Sequence, residues 1–408
     1  MTTEIPSLEE FEAAARTWLE ANAERRGPRE ELRYGVGSDD VAVFQTLTHD
    51  EEQVLIDGIL DWQRRKVDAG FGAITWPVEY GGRGLPRSYE TAFRAIEREY
   101  LTPKGHEAVG ISMNIETPTI LTLGDDDQKA RWLPGLLRGD SLCCQLFSEP
   151  GAGSDLGSLA CRAERDGDEW VVNGQKVWTT GAQFADLGYL IARTDPSAPR
   201  QTGCTAFVLD MATPGVEVRP LKQMSGGTSF NEVFFTDARI PESGRISEVG
   251  SGWSAAMTTL GFERVAGGSG GGGGGSGPLD LLRITAKELG RDTDPVVRQE
   301  LVTAWMMTKV RTLTNRRAAE GMKANGVPGP EGSIGKLAFT NELQQLTKVA
   351  SLVLGARLQA DTGEWGTYAW HEQVTGTPGM RIAGGTDEIQ RNTVAERVLG
   401  LPREPRPV

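Results

Sequence analysis

The sequence predicts an α+β multidomain fold. It comprises an N-terminal α-helical domain (1–140), a middle antiparallel β-barrel or sandwich domain (141–248) and a C-terminal four-helix-bundle domain (249–408). Three observations predict this order. Apolar residues recur at helical spacing up to about residue 140. Strand-like runs separated by Asp-Gly and Asn-Gly pairs then extend to about Arg245. Helical periodicity returns after Gly252 and continues to Leu399.

Start and stop signals divide the N-terminal domain into helices. Ser7 and Glu10 form a capping-box pattern ahead of the first helix, and a second helix is predicted from about Thr48 to Asp68. Shorter helices are predicted at 89–100, 118–123 and 126–137. The stretch 70–84 is rich in Gly and Pro, which predicts an irregular connection.

The middle domain is predicted from β-branched and aromatic runs. The strand candidates are 142–147, 169–172, 187–192, 205–209 and 231–235. The Asn173-Gly174 dipeptide predicts a tight two-residue hairpin. That hairpin would present Trp178, Thr179 and Thr180 at one sheet edge, although Trp178 also has the alternative of an ordinary place in the core.

Two long helices, near 301–313 and 334–358, are predicted within the C-terminal bundle. Before them comes a run of glycine and serine, 267–277. Glycine costs about 1 kcal/mol per helical position relative to alanine, so a flexible connection is predicted there. The helix that begins near Trp253 is expected to stop soon after Arg264.

Composition excludes several classes of function. The 408 residues carry a net charge of −13, and no basic stripe is visible, which argues against a nucleic-acid binder. No apolar run reaches membrane-spanning length, so membrane insertion is not expected. No secretory signal is visible, so a cytoplasmic location is expected. The four cysteines are expected to be buried as small hydrophobic residues, and the three scattered histidines give a metal site no support.

Two segments of the middle domain point to a cofactor. Residues 145–155 end an apolar run in a loop whose Gly151 and Gly153 leave backbone amides free to face a ligand, and residues 173–181 carry the aromatic and hydroxyl groups. Together they resemble the flavin-binding β-domain of the acyl-CoA dehydrogenase family. Further segments resemble that family in the same order along nearly the whole chain: 77–82, 124–139, 222–227, 233–241, 252–264 and 384–391.

The resemblance implies the α,β-dehydrogenation of an acyl-CoA thioester to the trans-2-enoyl-CoA, with FAD as cofactor. In this reaction a carboxylate removes the proton alpha to the carbonyl, and the beta hydrogen leaves as hydride to the flavin. The implied partners are the acyl-CoA substrate and an electron-transferring flavoprotein as acceptor. The implied assembly is a homo-oligomer (dimer or tetramer) or a heterotetramer.

The resemblance also implies flavin-contacting residues. These are Gln145, Phe147, Ser148, Ser154, Trp178, Thr179 and Thr180 in the β-domain. Phe147 and Trp178 would pack on the ring system, and Ser154 would also contact the CoA or thioester end of the substrate. In the last segment, Thr386 and Glu388 correspond to positions near the adenosine half of FAD.

The catalytic base departs from the commonest family pattern. Many members place a glutamate directly before the last Gly-Thr, where this chain has Gly384, and glycine cannot take a proton. Some branches carry the base on the first bundle helix beside an arginine, and Glu263 followed by Arg264 matches that pattern. We therefore expect Glu263 to be the base and Arg264 to contact the substrate. The alternative is a helix carboxylate paired with a neighbour.

A second departure concerns the segments that usually contact a neighbouring subunit's flavin. This chain has unusual sequences at 287–295 and 352–356. Three hypotheses follow: an active dehydrogenase, a structural or flavin-sharing subunit of a heteromeric enzyme, and a related flavin oxidase or monooxygenase. The glycine run beside the base helix further predicts a pocket open to a bulky or branched acyl group, with a linker that plays no part in selectivity as the alternative.

Overall fold

The computed structural model describes residues 5–27, 32–44, 46–268, 277–325 and 329–403, with the backbone alone at 264–268 and 322–325. The chain separates into two compact units. The first unit comprises Met1–Glu30, Leu47–Leu221 and Ser229–Phe262, and the second comprises Glu31–Thr46, Lys222–Thr228 and Glu263–Val408.

The N-terminal part of the first unit is helical, and three of its helices begin at capping boxes. In chain order the α-helices described before the sheet are α1 (Leu8–Asn22), α2 (His49–Asp68), α3 (Arg87–Glu97), α4 (Glu107–Ile111), α5 (Thr117–Leu123) and α6 (Asp126–Arg138). Ser7, Thr48 and Asp125 each close a capping box, satisfying backbone N–H groups that the first turn leaves free. These helices confirm the predicted N-terminal region, except that α4 and the π-helical turn Ser112–Glu116 were not foreseen.

One mixed sheet forms the middle of the chain. Its strands are β1 (Cys143–Leu146), β2 (Arg162–Asp166), β3 (Glu169–Thr180), β4 (Leu187–Arg193), β5 (Cys204–Asp210), β6 (Val216–Leu221), β7 (Phe230–Pro241) and β8 (Arg245–Ile246). The order is β6-β7-β3-β2-β4-β5-β8, with β1 paired to β4. The β-rich middle region is confirmed. The path of the sheet ends at β6 and β8, so the sandwich form fits and the closed barrel does not. The β1–β4 and β2–β4 pairings are parallel rather than antiparallel.

The predicted hairpin at Asn173-Gly174 is wrong. Both residues lie inside β3, where the register with β7 shifts between Val172 and Gly174. Gly174 has φ 147°, a backbone conformation that favours glycine and accompanies the irregular pairing of the strand. A β-carbon on it would lie 2.7 Å from Cys161 Cα, so only glycine lets the two backbones approach this closely. The tight turn lies at Gly167, between β2 and β3.

The sheet buries both faces. Tyr189 and Ile191 of β4 pack in a core with α6 and with Ala255 and Ala256 of α7 (Gly252–Gly268), while the alternate residues Leu190 and Ala192 pack in a second core. The four cysteines are buried and unbridged, as expected.

The second unit contains the bundle helices α8 (Pro278–Glu288), α9 (Pro295–Asn325), α10 (Gly332–Leu354), α11 (Ala369–Met380) and α12 (Asp387–Thr393). They confirm the two predicted long helices. Their shared core includes Leu282, Val297, Leu346, Val349 and Trp370. Residues 269–276 of the predicted glycine-rich connection lie outside the described residues.

A segment from the N-terminal part of the chain, 32–44, belongs to this second unit. Trp365 Nε1 donates to Gly37 O at 2.8 Å, and Gly366 N donates to Asp39 Oδ2 at 2.7 Å. These bonds join residues that sequence periodicity alone does not connect.

Among the helices that the structure describes, none is long and apolar enough to cross a membrane.

Candidate functional site

The two motif segments of the sheet meet in space. Val177 N donates to Ser148 O at 2.9 Å, and Lys176 Nζ donates to Phe147 O at 3.0 Å. These bonds join the loop after β1 to the end of β3. We call the predicted residues gathered there the strand-edge cluster: Gln145, Phe147, Ser148, Trp178, Thr179 and Thr180.

Trp178 is exposed and sits on unusual backbone. Its side chain is 62% exposed, so the alternative of a core tryptophan is wrong. Its φ is +63°, and the β3–β7 register shifts between Lys176 and Thr179. A non-glycine residue in the left-handed region costs about 1–2 kcal/mol, a strain that concentrates at functional sites. The indole therefore offers a largely exposed aromatic surface, and its ring meets Phe230 edge-on with centroids 6.0 Å apart.

Two hydroxyl residues follow Trp178 at the end of β3. Thr179 is buried, and within the described ranges no group bonds to its Oγ1. An unbonded buried hydroxyl costs about 1–3 kcal/mol, which a bound ligand can recover. Thr180 beside it is half-buried. An exposed indole next to an unsatisfied hydroxyl fits a planar ring with polar edges, as a flavin has.

The remaining predicted residues of the first unit differ in how much of each side chain is exposed to a ligand. Phe147 is 5% exposed and packs against Tyr189, with ring centroids 6.1 Å apart, so the core already uses most of its side chain. Gln145 and Ser148 are half-buried, and Ser154 is exposed on the loop. Their predicted flavin and substrate contacts stay predictions.

A buried ion pair that the sequence analysis missed lies under the strand-edge cluster. Lys176 Nζ is 2.7 Å from Glu149 Oε1, and the lysine side chain has no exposed surface. Glu149 also accepts from Ala160 N at 2.6 Å and from Cys161 N at 3.0 Å. Lysine is almost never fully buried unless it is paired, so its place in an apolar strand was the available signal.

In the second unit, the structure brings Glu263 to Gly384. A β-carbon added to Gly384 would lie 3.3 Å from Glu263 Oε1. Gly384 and Gly385 both have positive φ, +65° and +83°, which favours glycine. We call Glu263, Gly384, Gly385, Thr386 and Asp387 the glycine-turn cluster. The side chain of Arg264 lies outside the described residues.

The buried carboxylate of Asp387 stabilises this turn through hydrogen bonds from three side chains. Its carboxylate accepts from Arg381 Nε at 2.7 Å, Thr340 Oγ1 at 2.9 Å and Lys336 Nζ at 3.3 Å. Lys336 also donates to Gly385 O at 2.8 Å. Burial acts to raise the pKa of Asp387, but the bonds from Arg381 and Thr340 and the charge of Lys336 outweigh it and lower that pKa. The carboxylate is therefore charged at neutral pH.

Thr386 and Glu388 have local structural roles. The Thr386 hydroxyl accepts from Ile389 N at 3.3 Å as the N-cap of α12. Glu388 forms an exposed ion pair with Arg391 at 3.3 Å. The predicted contacts of both residues to the adenosine half of FAD stay predictions.

Comparison with known protein domains is consistent along the chain. Sequence models of the acyl-CoA dehydrogenase N-terminal, middle and C-terminal domains match residues 47–140, 144–238 and 250–399. Together they span most of the chain, in the family's order.

Individual proteins agree. An acyl-CoA dehydrogenase of Mycobacterium tuberculosis, IpdE1, is 35% identical over 407 residues, covering 98% of this chain and 99% of that protein. The solved structure of the Tcur3481-Tcur3483 steroid ACAD has a TM-score of 0.72 at 25% identity, covering 99% of this chain and 100% of that one. The ChsE4-ChsE5 complex from Mycobacterium tuberculosis has a TM-score of 0.69 at 25% identity, with the same coverage. These likenesses do not favour an inactive structural subunit or a flavin oxidase or monooxygenase.

Proposed function

The chain belongs to the acyl-CoA dehydrogenase family, and from this premise we propose that it uses Glu263 as the base, with FAD as its flavin. The activity is that of an oxidoreductase acting on CH–CH groups, which converts an acyl-CoA thioester to the trans-2-enoyl-CoA.

The observation that carries the proposal is the approach of Glu263 to Gly384. A β-carbon there would lie 3.3 Å from Oε1, so the carboxylate reaches the turn where many family members place their base. Gly384 has no side chain that competes for this space. In our proposal Glu263 takes the proton alpha to the thioester carbonyl. The charge that develops on the carbonyl oxygen must then be stabilised by hydrogen bonds.

The strand-edge cluster supplies the cofactor contacts. Trp178 presents an exposed aromatic surface and Thr179 an unsatisfied hydroxyl, which support the binding of a flavin ring. When bound, FAD supplies the acceptor for the hydride that leaves the beta carbon. The chain's own part is to hold the ring and exclude water from it. Thr386 and Glu388 remain our proposed contacts to the adenosine half.

Replacement of Glu263 by glutamine tests the base. We expect Glu263→Gln to keep its bound flavin but to slow acyl-CoA-dependent bleaching of the flavin spectrum by about 10²–10⁴-fold, the usual worth of a general base. The measurement is stopped-flow absorbance with a panel of acyl-CoA thioesters. Glu300→Gln is the matched control, because Glu300 is another bundle carboxylate, paired with Lys348 at 2.8 Å. Bleaching of Glu263→Gln at the wild-type rate would remove the assignment.

We propose a bulky acyl group as the substrate class. The glycine-rich connection directly follows the helix that carries Glu263, and one solved neighbour is named a steroid ACAD. The same panel should therefore include straight-chain, branched and ring-bearing thioesters. We expect the highest kcat/KM with a bulky acyl group. Turnover of short straight-chain thioesters without turnover of bulky ones contradicts the proposed substrate class and leaves the assignment of Glu263 as the base unaffected.

We also propose that the chain assembles with a second chain of the same fold, and that an electron-transferring flavoprotein is its acceptor. An apolar stripe runs along α9, formed by exposed Val302, Trp305, Met306, Val310 and Leu313. Patches of this kind commonly mark protein interfaces. The altered segments 287–295 and 352–356, together with two neighbours named as pairs of chains, favour an unlike partner.

Light scattering with size-exclusion chromatography tests this assembly. We expect Val310→Glu to lower the molar mass of the complex purified from the native source. An unchanged mass contradicts a role for the stripe. A complex that contains only this chain means a homo-oligomer instead.

A further inference from the structure

We propose that Lys176, together with Glu149, is a positioning residue for the flavin site. It sets the orientation of the Phe147–Ser148 peptide so that the Ser148 N–H faces the strand edge. This inference rests on the proposed flavin site, and it assigns a role to two residues that no predicted contact includes. The ammonium group lies beneath the cluster rather than on its surface.

Lys176 connects three separate stretches of chain. From β3, its Nζ donates to Phe147 O at 3.0 Å and lies 2.7 Å from Glu149 Oε1. Glu149 in turn accepts from Ala160 N and Cys161 N. The lysine is fully buried and the glutamate nearly so, so solvent screens the pair little. The loop after β1 is therefore clamped between β3 and the start of β2.

Peptide geometry then fixes the direction of one amide. The C=O and N–H of a trans peptide point in opposite directions, so a Phe147 carbonyl that faces Lys176 turns the Ser148 N–H away from the lysine. The next carbonyl, Ser148 O, is held by Val177 N at 2.9 Å. Among the residues that the structure describes, none accepts a hydrogen bond from the Ser148 N–H. This amide is a donor kept ready for a ligand.

The irregularity near the end of β3 places Lys176 and Trp178 on opposite sides of the strand. In a regular strand, residues two apart face the same side. Lys176 is nevertheless fully buried while Trp178 is largely exposed. The register shift between Lys176 and Thr179 and the positive φ of Trp178 account for the difference. One bulge thus turns the lysine inward and the indole outward.

A purely structural ion pair would behave differently from a positioning one. Removing one partner of a buried pair leaves an uncompensated charge, whereas neutralising both partners together often restores stability. Lys176→Met with Glu149→Gln removes both charges at similar volume. The Phe147 carbonyl then still lacks its donor. The double variant therefore separates the fold from the peptide orientation.

The experiment compares wild type, Lys176→Met, Glu149→Gln and the double variant. Flavin affinity is measured by titration of the flavin-free protein, together with the visible absorbance and circular dichroism of the bound flavin. We expect the single variants to unfold at a lower temperature and the double variant to recover most of that loss. The double variant should still bind flavin about tenfold more weakly than wild type, because one positioned hydrogen bond is lost. The absorbance spectrum of its bound flavin should also differ from that of wild type.

Glu242→Gln is the matched control. Glu242 is a partly buried carboxylate that accepts from Trp170 Nε1 at 2.6 Å and pairs with Arg245 at 2.7 Å, toward the other end of β3. It should lower stability without changing the flavin spectrum. A double variant with wild-type flavin affinity and spectrum overturns the inference. The inference is also overturned if Glu242→Gln loses flavin affinity in the same proportion to its fall in melting temperature as the Lys176 and Glu149 variants do.

A second readout needs no flavin. Amide hydrogen exchange of the flavin-free double variant should be faster than wild type across residues 147–154, and unchanged at 170–172. Unchanged exchange in the loop overturns the inference whatever the cofactor does. A wild-type protein that binds no flavin would instead count against the proposed function, while accelerated loop exchange would still support the role of Lys176 in holding the peptide.

Discussion

Two buried carboxylates, Glu149 in the first unit and Asp387 in the second, each hold a glycine-containing turn, and they do so with different partners. Glu149 is bound by a lysine with no exposed surface and by two backbone N–H groups. Asp387 is bound by Arg381, Lys336 and the hydroxyl of Thr340, all of them side chains.

The difference follows from the elements around each turn. The loop after β1 runs beside chain at 160–161 whose backbone N–H groups are available to Glu149. The glycine turn packs against α10, whose backbone donors are already bonded within the helix, so donors must come from side chains one turn apart, Lys336 and Thr340. The same requirement, a fixed turn, is therefore met by backbone in one region and by side chains in the other.

The largest expected effect is on Asp387. Asp387→Asn leaves Arg381 and Lys336 without their shared counter-charge, and we expect a loss of about 3–5 kcal/mol in the free energy of unfolding. Chemical denaturation monitored by circular dichroism measures it. A loss below about 1 kcal/mol, which is typical of an exposed ion pair, would mean that Asp387 does not act as a buried counter-charge in the way inferred for Glu149.

The pH dependence of that effect sharpens the test. The folded-state pKa of Asp387 is lowered, so its contribution is fully present above the ordinary aspartate pKa of about 4 and is lost as pH falls through the folded value. The difference in stability between wild type and Asp387→Asn should accordingly shrink below about pH 4. A difference that persists to lower pH would mean that charge is not the cause.

A smaller effect is expected at Gly384. Alanine at φ +65° costs about 1 kcal/mol in strain, and its β-carbon would also lie 3.3 Å from Glu263 Oε1. We expect Gly384→Ala to slow flavin reduction by about 10- to 100-fold through displacement of the base. Gly363→Ala is the matched control, because Gly363 has φ +73° with no atom within 4 Å of its added β-carbon. Equal rates in the two variants would count against crowding of Glu263.

The smallest effect on stability is expected at Trp178. Trp178→Gly relieves about 1 kcal/mol of left-handed strain and loses the edge contact to Phe230, so the free energy of unfolding should stay within about 1 kcal/mol of wild type. Flavin affinity, measured by titration, should fall by about tenfold. Ser247→Gly, at φ +60°, relieves the same kind of strain elsewhere and should leave affinity unchanged. A Trp178→Gly protein with normal affinity would show that the exposed indole is not a flavin contact.

Local signals in the sequence predicted local structure well. The capping pair of Ser7 with Glu10 marks a helix start that the structure confirms, because a cap is made within four residues. The predicted start of the second helix near Thr48 is also confirmed, and there the structure adds a capping box with Glu51. The Asn173-Gly174 pair misled for the opposite reason. Gly174 lies inside β3 and leaves room for Cys161, which directly precedes the neighbouring strand β2, instead of forming a turn.

Motifs and periodicity are written in consecutive residues, so they were enough to indicate the family, the order of helical and strand regions, and Trp178, Thr179 and Glu263 as candidates. The folded chain adds that Lys176 faces inward while Trp178 faces outward, that Glu263 reaches Gly384, and that Asp387 supports the glycine turn. These facts depend on burial and on contacts between residues distant along the chain. Such contacts arise when elements pack, and no local pattern specifies them.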